Sequence, residues 1–136
     1  MHQRVILMLL LVSSAACGLI DLGRGDCETN PAASFPFTLP PSATDVQERC
    51  AMNFVNPSRT LTFSMSPDDL ETLQQSTPIR EWVTDASAAL IFDEEAARME
   101  SLLVGNYADG AYALEVLIDT SDPQLYRVYF DIAFVD

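Results

Sequence analysis

The residues from 42 onward predict an α+β domain, an antiparallel sheet of four or five strands with two helices packed on one face. Two observations carry this. Apolar and polar residues alternate over Arg59 to Met65, Tyr112 to Ile118 and Tyr126 to Phe134, the period of a half-buried strand. Two other segments open on helix-start chemistry, Ser66-Pro67-Asp68-Asp69 and Asp93-Glu94-Glu95.

The first strand is expected over Asp45 to Met52, with Val46, Cys50 and Met52 on one face and Asp45, Gln47 and Arg49 on the other. Asn56-Pro57 reads as a turn into Arg59 to Met65, where Leu61, Phe63 and Met65 point inward. Ser66 suits an N-cap, Pro67 the first turn, and the two aspartates the positive helix end. That helix should bury Leu70 and Leu73 and stop at Thr77-Pro78. Ala88 to Phe92 reads as a short apolar strand. The second helix should start from Asp93 as its N-cap, with Glu94 and Glu95 in the first turn, carry Ala96, Met99, Leu102 and Leu103 inward, and stop at Gly105-Asn106. Ser121-Asp122-Pro123 turns the chain between the last two strands. Arg127 and Asp131 are expected to face solvent, and Arg98 to pair with Glu94 four residues away.

The N-terminus has a different character. His2 and Arg4 precede the uncharged apolar run Val5 to Val12, and small residues fill Ser13 to Ala16 ahead of Cys17. This is the three-part pattern of a secretory signal, and the run is far shorter than the ~20 residues of a spanning helix. Ala15-Ala16-Cys17 resembles the lipobox of bacterial lipoproteins, with Ser14 where that family usually has Leu. The resemblance implies cleavage before Cys17, lipidation of that cysteine, and attachment on the extracytoplasmic side of a membrane. Ordinary cleavage near Ala16, giving a soluble secreted or periplasmic protein, is the alternative. The expected organisation is a signal over 1–16, a lipidated tether over 17–41 punctuated by glycine and proline, and one domain over 42–136. Phe35 and Phe37 are positioned to dock the end of the tether on the body.

Three cysteines are present. With Cys17 lipidated an even pair remains, and an oxidising compartment favours a Cys27–Cys50 disulfide. Such a bridge is worth ~3 kcal/mol in the chain-entropy model. The basic residues number 7, all arginine, against 20 acidic ones, for a formal charge of −13 that becomes one unit more negative when Arg4 leaves with the signal. A body this acidic repels phosphate backbones, so nucleic acid is not an expected partner.

Composition also removes most catalytic chemistry. The single histidine, His2, lies in the signal, and lysine is absent. Histidine-based nucleophile systems and lysine Schiff bases are therefore excluded from the mature chain. Only carboxylates remain as acids and bases. Asp68-Asp69-Glu71 and Asp93-Glu94-Glu95 sit where acids offset a helix dipole, and Asp119 with Asp122 fits turn chemistry. No metal or cofactor site is expected. Trp82, Tyr107 and Tyr112 form a candidate aromatic platform, with Tyr107 in a Gly105-to-Gly110 loop as the surface candidate and Trp82 read chiefly as core.

Leu39 to Val46, Thr60 to Leu70 and Asp119 to Tyr129 resemble segments of small uncharacterised lipoproteins of high-GC bacteria, which implies an envelope module and assigns no functional residue. The expected function is a membrane-anchored, non-catalytic binding module for an envelope protein, peptide or glycan. The alternative is a small carboxylate-dependent hydrolase of wall or surface polymers, with two acids facing each other across a cleft.

Overall fold

The structure, a computed structural model, describes residues 37–51 and 58–134. Cys17, Cys27, Phe35, Met52 and the Asn56-Pro57 turn lie outside the described residues. Ten short elements are described: β1 (Thr44–Ala51), β2 (Ser58–Met65), a 3₁₀ turn (Pro67–Asp69), α1 (Leu70–Ser76), β3 (Trp82–Val83), a second 3₁₀ turn (Ala86–Ala88), α2 (Asp93–Ala96), β4 (Leu102–Ala108), β5 (Tyr112–Asp119) and β6 (Tyr126–Phe134). The strands form one antiparallel sheet of six in the order β1-β2-β6-β5-β4-β3, one more than the upper expectation.

The sheet has two differently covered faces. Leu61, Phe63 and Met65 of β2, Leu114, Val116 and Ile118 of β5, and Val128, Phe130 and Ile132 of β6 form the larger core with Leu73 of α1 and Ile79. These are the residues that alternation placed inward, because a strand sends every second side chain to one face. Phe37 closes this core, its ring stacked 4.1 Å from that of Phe130. The chain between β2 and β3 must pass over β6, β5 and β4 to reach the far edge, and α1 lies on that path. Ser66 caps the turn as expected, its side chain accepting from the Asp68 amide at 3.3 Å. Asp69 accepts from the Ser42 amide at 3.1 Å, and the Ser42 hydroxyl in turn accepts from the Ser66 amide at 2.9 Å, so this helix start also straps down the N-terminal segment.

The second helix departs from expectation in length and place. It covers only Asp93–Ala96, and its Ala96 packs with Ala89, Phe92, Leu102, Val104 and Leu117 on the opposite face of the sheet. The helices therefore flank the sheet instead of sharing one face. Leu102 and Leu103 belong to β4, which runs through Gly105 and Asn106, the expected stop. Tyr107 is accordingly a strand residue, and the loop is reduced to the turn after Ala108. Ala88 to Phe92 is no strand; Leu90 and Ile91 are 76% and 57% exposed.

β1 is one of the two edge strands and contributes no described residue to either core, so its alternation buries little and Val46 is 46% exposed. A bulge between Thr44 and Gln47 adds one residue opposite Ser64 and Thr62, with Asp45 in the left-handed region at φ 50°, a conformation aspartate tolerates better than most residues. Cys50 is disulfide-bonded. The expected pairing with Cys27 concerns a partner outside the described residues. Among the described residues no helix is long and apolar enough to cross a membrane.

Candidate functional site

The face carrying α2 is incompletely covered, and the register explains what is left open. One transverse row reads Asn106, Glu115, Asp131, Thr60 and Arg49, each opposite the next on β4, β5, β6, β2 and β1. The next row is Ala108, Ala113, Ala133, Ser58 and Ala51, small at every strand. Small side chains leave space above the backbone. The result is a recess of about 300 Å³, floored by Ala108, Ala113 and Ala133, walled by Leu90 and Ile91, and bordered by Glu115 and Asp131.

Glu115 determines that wall. Its carboxylate accepts from the backbone amides of Leu90 (2.8 Å), Ile91 (3.1 Å) and Phe92 (3.0 Å). Three consecutive amides gathered on one buried acceptor fix the loop without a ladder. The side chains of Leu90 and Ile91 are consequently held out beside the recess while Phe92 turns in to meet Tyr129, ring centroids 5.6 Å apart. Asn106 supports the same segment by donating to the Ala88 carbonyl at 3.0 Å.

Asp131 is 7% exposed, not solvent-facing as the alternation suggested. Its Oδ1 accepts from the Thr60 hydroxyl at 2.9 Å. Burial pushes its carboxyl above the usual aspartate range; the Thr60 bond pulls the other way, and the nearby Glu115 charge adds to the rise. Glu115 was not singled out in the sequence and Asp131 was read as solvent-facing, because each is a polar residue on a strand whose other face is core. The one available signal was the apolar stretch on both sides of Glu115, which marks a strand buried on both faces.

A second recess, about 370 Å³, lies beyond Phe92 on the same face, between Arg49, Thr60, Thr62, Arg127 and Tyr129. Arg127 is held by Asp45 at 3.0 Å, Ser64 at 3.2 Å and Thr62 at 3.2 Å. It is half-buried rather than fully solvated. The Thr60–Asp131 hydrogen bond stands at the boundary between the two recesses.

Of the aromatic candidates, Tyr107 lies on the strand that borders the first recess, but its side chain packs against the larger core on the opposite face. It also pairs with Tyr112 at 5.6 Å and donates to Asp109 at 3.1 Å; that hydrogen bond is the main reason the Tyr107 hydroxyl titrates above its ordinary range. Trp82 is half-buried against the larger core and sits over Gly105, on the face away from the recess. The platform of three is thus reduced to a tyrosine pair. Asp68, Asp69, Glu71, Glu94 and Glu95 occupy first turns as expected, but Asp93 is itself the first helical residue and not the cap, Phe92 standing at the N-cap position. Asp119 and Asp122 accept turn amides from Ser121 and Gln124, and Arg98 meets Glu94 at 3.6 Å. Among the described residues no group of histidine, cysteine and acidic side chains is arranged to hold a metal. Comparison with family models, curated proteins and solved structures finds no match.

Proposed function

We propose that this chain is an envelope lipoprotein, anchored through Cys17, whose domain is a non-catalytic binding module for a protein, peptide or glycan. The observation that carries the binding reading is the recessed, half-covered sheet face: a groove lined by small and apolar residues with a few polar groups at its border is the usual form of a recognition site. The anchor rests on the Ala15-Ala16-Cys17 resemblance. The non-catalytic reading rests on the lack of histidine and lysine after the signal. The hydrolase alternative gains little support, because both Glu115 oxygens already accept loop amides, which disfavours a free acid/base pair across a gap.

The test is capture from native membranes with the tagged full chain, alongside Ala133→Leu, which fills the recess floor. A reproducible partner lost in the variant is the expected result. Equal capture by both proteins, or turnover of a wall polymer by the purified chain, overturns the proposal.

A further inference from the structure

The recess has a charge character that points to one class of occupant. Its walls and floor are mainly apolar, Leu90 and Ile91 above and Ala108, Ala113 and Ala133 below, with the Asn106 amide at one side, and among the described residues the charged side chains lining it are Glu115 and Asp131. Among the described residues no arginine lines it. Glu115 is satisfied by three loop amides. Asp131 receives one hydroxyl, from Thr60 to Oδ1, and no cation pairs with it among the described residues. A buried carboxyl in this position is stabilised as a carboxylate by a cation brought next to it. The apolar walls require that the cation come on a hydrocarbon stem, and about 300 Å³ is at the small end of ligand pockets.

We infer that the recess between the Leu90–Ile91 wall and the alanine floor binds an alkylammonium group, the stem lying on Ala113 and Ala133 and the ammonium donating to Asp131. This deepens the binding-module reading and rests on it. The chemistry is shared by a free primary amine and by a lysine side chain of a peptide. No bond is made or broken, so the interaction is a reversible ion pair within an apolar slot.

The experiment follows amide resonances of the full chain at neutral pH during titration with butylammonium, butanol and butyrate. Butylammonium should shift the amides of Leu90, Ile91, Ala113 and Ala133 and bind at least about tenfold more tightly than the other two, the value of one charge-assisted hydrogen bond. Asp131→Asn should abolish the preference for the ammonium, and Ala133→Leu, which leaves both carboxylates in place, should abolish binding. Tighter binding of an Nα-acetyl-lysine amide than of butylammonium assigns the group to a peptide, and equal or weaker binding assigns it to a free amine; either agrees with the inference. Equal affinity for butanol, an unchanged preference in Asp131→Asn, or shifts confined to other residues overturns it. Failure here with a captured partner that Ala133→Leu still loses would leave the module reading standing, so the two failures are distinguishable.

Discussion

Glu115 and Asp131 face each other across β5 and β6 and behave oppositely. Glu115 is an organiser: removing its carboxylate in Glu115→Ala strands the amides of Leu90, Ile91 and Phe92. With two of those residues near solvent, the cost should be about 2–4 kcal/mol by denaturant unfolding, and hydrogen exchange at the three amides should accelerate most. Asp131 is a cost the fold tolerates. Its carboxyl is raised in the folded state, so the folded chain holds a proton that the unfolded chain has released, and stability falls as pH rises from the ordinary aspartate range through the raised value. Asp131→Asn removes that loss while leaving an oxygen for Thr60. Its stability should therefore match or exceed that of the parent at neutral pH, with the margin shrinking as pH is lowered. A constant margin across the titration would show that the effect is not ionisation.

At the scale of elements, legibility followed the number of buried faces. β2 and β6 were plain in the sequence because Leu61, Phe63 and Met65, and Val128, Phe130 and Ile132, alternate with more polar neighbours. β4 was not. Leu102 and Val104 serve one core while Leu103 packs on the other, so the strand begins as a continuous apolar run that merges with the helical spacing of Ala96 and Met99. Gly105 then reads as a stop but is a contact surface: a Cβ there would stand 2.7 Å from the Ile79 Cγ2 and 3.0 Å from the Trp82 ring. Gly105→Ala should cost about 1–3 kcal/mol through overpacking, with a shift in tryptophan emission as β3 is displaced; unchanged emission and stability would show that β3 yields freely. The Ala88-to-Phe92 segment misled for a different reason. Its hydrogen bonds go to a side chain over 20 positions away, a relation that local periodicity does not carry. The recess was illegible for the same cause, since its floor is assembled from single alanines on three strands.

For the whole molecule the acidic surface gives no attraction to an anionic bilayer, so membrane residence would depend on acyl chains. One chain binds marginally and two hold stably. Cys17→Ala should therefore release the protein from the membrane fraction, accumulate unprocessed precursor, or both, as read by fractionation and by mass. Unchanged processing and fractionation would remove the lipoprotein proposal while leaving the domain as described. The antiparallel sheet was legible at this scale; its sixth strand, only two residues long, and the division of the helices between two faces were not.

The transverse rows have a consequence for how the protein keeps its recess. The alanines and the acids that meet there come from β4, β5 and β6 and coincide only while every strand holds its register. A slip of one residue between β5 and β6 would turn the Asp131 and Ala133 side chains to the other face and scatter both rows. An occupant that binds the aligned rows would resist that slip by mass action, by about 2.7 kcal/mol at a hundredfold excess over its dissociation constant. The recess then acts as a gauge of sheet alignment, and a ligand placed across the strands would hold them in step as a crossbar holds the rails of a gate.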